Sequence, residues 1–550
     1  MRRALLPLAA LCLLATGARR PADCSGDYCG TLVFAAGGQP DILLPPVSVS
    51  ALSRDIHDQI FLKLADIGMT LNTVGDRGFV PVLAKRWEWR DSLTLVFHLD
   101  PRARWQDGPP VTAGDVAFTF QAYTDPQVNS SSAPILAHIA SVTARDSLTA
   151  VFRFRDRYPE MFYDAVYHMR ILPAHLLASV PRDHWMSADF GRAPVGDGPY
   201  RFVTWTPEYL ELAADSTFFL GRPHIRRLLW RFTPNLDVAI TQLIADQADA
   251  LETLGPPPNV RRVQAATQLA LYHYSGTNYA FLQFNLAANG DTTRPHPILS
   301  DRQVRRAITM AVDRVKLCQS VWGDLAKAPP GPMPQAWWIW NVGTTPLPYD
   351  TTQAARLLTA DGWVDSDGDG IRDKGGVKLS LHLVTPTSSG SRHQYARLIQ
   401  GQLKSLGVDI QIDEVDPVAF NQRLSAGLFD AALPAWNTDP TPSSSFAQRW
   451  TRAGWSRFNY GRYANPNLER LLGQATLSAA DPQSAARAWR AVLDTLNQDA
   501  PGIWLFAPDN VAVVHNRVAA VTIRPDSWWA LVWTWRIPPD RLLDRDRTER

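Results

Sequence analysis

The stretch LSLHLVTPTSSGSRHQYARLIQGQLKSLGVDIQIDEVD, residues 379–416, changes its hydrophobic period twice. Leu379, Leu381 and Leu383 alternate, which places them on one face of a strand. Tyr395, Leu398, Ile399, Leu403 and Leu406 then recur at the three- and four-residue spacing of an apolar helical stripe. Gly407 supplies the stop, and Val408, Ile410 and Ile412 alternate again. Strand, helix and strand with short joints make a βαβ unit, and that unit implies parallel pairing. A further helix over 419–426, stopped by Gly427, leads into the apolar FDAALPAW (429–436). The second half of the chain therefore reads as a doubly wound α/β lobe.

Working upstream, Ser300 and Gln303 form a capping box. Val304, Ala307, Ile308, Ala311, Val312 and Val315 follow it as one helical stripe. In the first half, Leu93, Leu95, Phe97 and Leu99 alternate as a strand. After the turn QDGPP, Thr112 and Asp115 form a capping pair ahead of Val116, Phe120 and Tyr123 at helical spacing. Short strands and turns continue to about residue 235, with no internal repeat.

The stretch DSDGDGIRD (365–373) imitates a calcium loop, with acidic side chains at alternate positions and a glycine at the sixth. The standard loop needs a bidentate Glu at position twelve and a helix on both sides. Position twelve is Gly376 and a strand begins near Val377, so the stretch reads as a turn whose short carboxylates bond their own backbone.

Lysine and arginine total 55 against 53 acidic residues, a formal net charge of +2 without basic blocks, which argues against a nucleic-acid partner. The chain is 550 residues long, room for two to four domains. Its 20 tryptophans serve cores and also the stacking of ligands in a cleft. MRRALLPLAALCLLATGA (1–18) has the arginines, short apolar run and small residues of an export signal. Cys12 lies inside it, and Cys318 falls in a helical pattern as a small buried residue. Cys24 and Cys29 suit a disulfide in an oxidising compartment, while a lipid anchor on Cys24 stays open although Asp23 departs from its small-residue rule.

No HExxH, GxSxG, Walker-type loop, GxGxxG or CxxC is present, and the 12 histidines are scattered without metal-ligand spacing. Neither a catalytic centre nor a cofactor or metal site has support in these patterns.

Several stretches together resemble extracytoplasmic solute-binding proteins of the peptide/nickel class, which serve ATP-driven importers. They are LAKRWEWRDSLTLVFHLDPRARWQDGPPVTAGDVAFTF (83–120), PVGDGPYRF (194–202), DRQVRRAITMAVDR (301–314), GWVDSDGDGIRDKGG (362–376) and RLIQGQLKSLGVDIQIDEVD (397–416). The resemblance implies a two-lobed fold with a hinge and an extra inserted domain. Lobe I would comprise 30–55, 190–275 and 500–540, the insert 56–189, and lobe II 276–499. It also carries an aspartate that pairs with a peptide's α-ammonium, and the pattern W-x-x-D places that role on Asp439 with Trp436 and Asn437 beside it. These residues follow a strand end, where open α/β sheets bind ligands. Some relatives add an arginine six residues ahead for the ligand's carboxylate; here that position is Leu433, and Arg392 is the alternative anion partner. Tyr279, Trp338 and Trp340 are the expected aromatic wall.

The resulting expectation is an exported, periplasmic or envelope-attached monomer that captures a peptide-like solute for a membrane permease and is not an enzyme. The alternatives are a saccharide-binding importer component, a secreted hydrolase, or a calcium-dependent adhesion module.

Overall fold

The computed structural model describes residues 24, 28–255, 257–455, 458–477 and 482–547. The export signal read over 1–18 lies outside them. The opening stretch folds as its periodicity requires. Strand Ser380–Pro386 runs into helix Gly390–Lys404 and returns as Asp409–Val415, paired parallel to the first from Ser380↔Asp409 to Pro386↔Val415. Gly407 takes φ +80° at the turn, where any Cβ would be strained. Leu381, Leu383, Tyr395, Ile399, Leu403 and Ile410 meet in one buried core.

These strands lie at the edge of a 13-stranded mixed sheet. Its order continues through Ala431–Ala432, Asn278–Phe284, Gly502–His515, Ala250–Leu251, Cys29–Ala36, Ile225–Phe232, Tyr209–Ala214 and Tyr200–Trp205. Strand Gly502–His515 is 14 residues long because it serves both halves. Its start pairs with 278–284 of the second half and its end with Leu269–Ser275 of the first. The chain therefore crosses between the halves twice, side by side, at Gly276 and Pro508. A Cβ on Gly276 would sit 2.4 Å from the Pro508 carbonyl oxygen, so only glycine lets the two crossings touch. Gln335 secures the crossing by donating to the Ala507 carbonyl and the Asp509 carboxylate, both at 2.8 Å.

A separate four-stranded antiparallel sheet, ordered Ala84–Asp91, Thr94–Leu99, Thr149–Phe154 and Ile139–Asp146, carries helix Ala113–Thr124 on one face. Thr112 and Asp115 cap that helix reciprocally. One buried apolar cluster runs from Leu32 and Trp230 of the large sheet through Phe97 and Phe152 of the small one to Trp535.

Two readings of the helix after residue 300 need correction. The cap is Asp301, whose carboxylate accepts from the Gln303 amide at 2.7 Å, while Ser300 donates back to the His296 carbonyl. A carboxylate one position nearer reaches the free amides first. The helix also ends at Met310, and Asp313 caps a second helix, Arg314–Trp322. Val315 is consequently 64% exposed rather than on the buried stripe. Cys318 is buried, and Cys24 and Cys29 are bonded with Cα atoms 5.0 Å apart.

In the acidic loop, Asp365 accepts from the Gly368 and Gly370 amides and Asp369 from the Ile371 amide. Lys378 places its ammonium between Asp367 and Asp369, so the carboxylates are engaged by the loop and its neighbouring strand. No described helix is long and apolar enough to cross a membrane.

Candidate functional site

The segment 435–441 runs out of the large sheet after the short strand Ala431–Ala432. Strand Ala435–Asn437 pairs antiparallel to 278–284, with Tyr279 opposite Trp436 and Asn278 opposite Asn437. Thr438 donates both its amide and its hydroxyl to the Thr277 carbonyl, at 3.1 and 3.0 Å. Thr277 in turn donates its hydroxyl to the Asn437 side chain at 2.8 Å. Trp337 donates its indole N–H to the Asp439 carbonyl at 2.7 Å. Asp439 is thus held through its own carbonyl and through the pairing of Thr438 before it. Its partly exposed carboxylate has no hydrogen-bond or ion-pair partner among the described residues.

The 56–189 region meets the second half close by, where Thr441 bonds Glu160. Helix Met161–Tyr167 of the 56–189 region stacks Tyr163 on Tyr167, ring centres 4.6 Å apart. Burial pushes both hydroxyls far up, and the negative charge of Asp439 adds to the effect on each. The Tyr163 hydroxyl is buried without a hydrogen-bond partner. One residue before this helix, Glu160 is 5% exposed and accepts hydrogen bonds from Thr441 of the second half and from Thr73 at 3.0 Å. Burial, reinforced by the charge of Asp164, pushes the Glu160 carboxyl up to about 7, against the opposing hydrogen bonds. A direct seam between the 56–189 region and the second half is therefore made here, at Thr441, two residues after Asp439. A cavity of about 480 Å³ opens beside it, lined by Asp76, Trp89, Arg157, Tyr158 and Met161, with Leu477 from the second half. A smaller cavity of about 190 Å³ lies within the first half, and its charged lining is already paired, Arg524 to Asp66 and Lys63 to Asp58 and Asp66.

The expected site residues separate into two groups. Trp436 is half-buried, stacked on Tyr460 with ring centres 5.8 Å apart and packed against the Arg449 guanidinium at 4.7 Å. Asn437 is exposed beside it. Arg392 is half-buried at the start of helix 390–404 and donates to the Leu433 carbonyl at 3.1 Å, so it reaches the backbone of the very position where an arginine is lacking. Burial lowers its pKa. Tyr279 departs from its expected place on a wall. At 1% exposed it stacks on Phe281 in the core beneath Trp436, and burial pushes its hydroxyl up to about 12. Strand pairing sets it directly opposite Trp436 on the same face of the sheet, with Tyr279 inside the aromatic core and Trp436 at its edge. Trp338 and Trp340 are half-buried and pack against the same aromatic core. Trp337, Tyr163, Glu160 and Arg449 were not singled out by the sequence. Trp337 lies inside the WWIW run and was legible as one of three similar rings, whereas Tyr163 and Glu160 meet the second half only across the seam and Arg449 is marked out by its packing against Trp436 and Phe458.

The model for bacterial extracellular solute-binding proteins, family 5, matches residues 78–458. The oligopeptide-binding protein AppA of Bacillus subtilis is 24% identical over 520 residues, covering 91% of each chain. The structure of AppA from Bacillus subtilis in complex with a nonapeptide superposes with a TM-score of 0.75 at 22% identity, over 93% of this chain and 100% of that one. The ABC transporter substrate-binding protein CtaP of Listeria monocytogenes gives 0.80 at 21% identity, over 93% and 99%. The chain belongs to family 5 of the bacterial extracellular solute-binding proteins, shares their two-lobed fold, and works outside the cytoplasm.

Proposed function

We propose that this family 5 solute-binding protein captures a short peptide by its free amino terminus and presents it to the membrane permease of an ATP-driven importer, without chemistry on the ligand. The observation that carries the reading is the Asp439 carboxylate. It stands just past a strand end, its backbone fixed by Trp337, close enough for its charge to act on Tyr163 and Tyr167 across the seam, with no cation beside it among the described residues. A carboxylate drawn out of water is costly unless paired, and a ligand ammonium supplies the partner. Trp436 and Asn437 border the same segment, Trp338 and Trp340 support it from the Trp337 turn, and Arg392 lies at the neighbouring strand end. The relatives are named as an oligopeptide binder and an ABC transporter substrate-binding protein, and both roles are carried over here as part of the proposal.

Enclosure of the ligand is part of the proposal. The two crossings at Gly276 and Pro508 are the strand connections between the halves and offer the place for a hinge, and the Glu160–Thr441 contact would hold the two sides together around the ligand. The test is mass spectrometry of the protein purified under non-denaturing conditions, followed by incubation with the labelled ligand it releases. A non-covalently held peptide, returned unaltered, is the expected result. A bound glycan, a ligand without a primary amine, or turnover of the released molecule would overturn the proposal.

A further inference from the structure

Four arginines fall in the buried class among the described residues: Arg305, Arg449, Arg517 and Arg524. Three are satisfied. Arg305 donates to the carbonyls of Leu299, Ser300, Asp499 and Ala500. Arg517 pairs with Asp249 and Asp546, and Arg524 with Asp66 and Asp526. Arg449, 8% exposed on helix Pro442–Trp450, is the exception. Its Nε and Nη1 are buried without a hydrogen-bond partner, and no acid among the described residues pairs with it. What surrounds it is aromatic: Trp436 at 4.7 Å and Phe458 at 5.9 Å from the guanidinium carbon to the ring centres.

We propose that Arg449 is the partner of a ligand carboxylate. The inference rests on the peptide reading above and assigns the second charge of the ligand. Aromatic faces attract a guanidinium but do not use its N–H donors, and burying those donors unpaired is costly. The guanidinium fork matches a carboxylate with two parallel hydrogen bonds. Position agrees with chemistry. Trp436, which covers Arg449, is three residues from Asp439 on extended chain, about 10 Å. Arg449 and Asp439 thus belong to one neighbourhood of the site, and opposite charges about 10 Å apart would fit the two ends of an extended peptide of roughly three or four residues. Trp436, Phe458 and Tyr460 are each only half-buried, so the cage lies at the edge of the core. Arg449 thereby takes the task that Leu433 cannot perform.

A carboxylate reaches this site from the peptide terminus or from an acidic side chain, and three synthetic tetrapeptide pools separate the two. One pool contains no Asp or Glu and is offered as free acids; the second is the same pool as C-terminal amides; the third is amidated but contains one Glu. Ligand is first removed from the wild type and from Arg449→Met by unfolding and refolding, and captured peptide is quantified by mass spectrometry. The wild type should enrich one carboxylate-bearing pool over the plain amides at least tenfold: the first if the terminus binds, the third if a side chain does. Arg449→Met should lose the enrichment while its ligand-free melting temperature equals or exceeds that of the wild type, because a stranded charge has been removed. Arg449→Lys, retaining charge without the fork, should keep a reduced preference. Equal capture of all pools by the wild type overturns the assignment and leaves the peptide reading standing. Capture of none overturns both. A lower ligand-free melting temperature in Arg449→Met with the preference intact would make Arg449 a packing residue and refute the proposal.

Discussion

Replacing Glu160 by Gln should remove a specific pH dependence from the stability of the protein. The carboxyl is 5% exposed, faces Asp164 on its own helix, and takes hydrogen bonds from Thr73 and from Thr441 across the seam. Burial first, then the Asp164 charge, raises its pKa from 4.5 to about 7. The native form thus holds the proton to a higher pH than the unfolded chain, and stability falls as pH rises wherever the native state binds more protons. The Glu160 contribution is fully present below about pH 4.5 and is lost on passing about pH 7. At ~1.4 kcal/mol per pKa unit, the whole change is about 3 kcal/mol. For a protein of this size that is roughly 3 °C in melting temperature. Gln keeps the shape and an oxygen acceptor but does not ionise, so the variant should be as stable as the wild type near pH 5 and more stable at pH 8. Calorimetric melting of the ligand-free proteins across this range isolates the term as the difference between the two curves, because Asp197 and other titrating groups are common to both. A difference that does not change with pH, or a variant weaker than the wild type at pH 8, would refute the reasoning.

The remaining expectations concern the frame and the loop. Asp249 is fully buried and accepts from the Val33 amide, Arg517 and Arg545, so Asp249→Asn should cost about 3–5 kcal/mol and lower the urea midpoint accordingly; an unchanged midpoint would contradict the burial argument. Gly276→Val forces a side chain against the Pro508 carbonyl and should destabilise by about 1–3 kcal/mol or more while weakening ligand capture, both readable by melting with and without ligand. Chelating calcium should shift the melting temperature by no more than ~2 °C, because the loop carboxylates already serve backbone amides and Lys378. A larger shift that calcium restores would overturn the turn reading.

The βαβ unit was legible because each of its periods repeats several times over 379–416, and because Gly407 marks one joint unambiguously. The break at Ala311 was not. The stripe continues across it in register, and only the Asp313 cap shows that a second helix starts. The pairing of Cys24 with Cys29 was one of two open alternatives, separated by the observed bond. Asp439 was reachable from its position after an apolar strand, whereas its surroundings were not, since Tyr163 and Glu160 lie about 280 residues away in sequence. Tyr279 shows the limit of counting aromatics. Strand pairing decides which neighbours cover a ring, and that register is set by the partner strand. Arg449 could be recognised only once each buried arginine had been matched to its partners.

The central claim is that Asp439 holds a ligand ammonium in a closed cleft, and a calorimetric cycle tests it most directly. The peptide released by the protein is resynthesised with a free and with an acetylated amino terminus, and each form is titrated into the wild type and into Asp439→Asn. Breaking one partner of an enclosed charge pair costs roughly 2–5 kcal/mol, about thirty-fold or more in affinity. Acetylation should therefore weaken binding to the wild type by that factor and add little further loss in Asp439→Asn. Acetylated and free peptide binding the wild type within a factor of about three, with Asp439→Asn binding equally well, would show that no ammonium sits at Asp439.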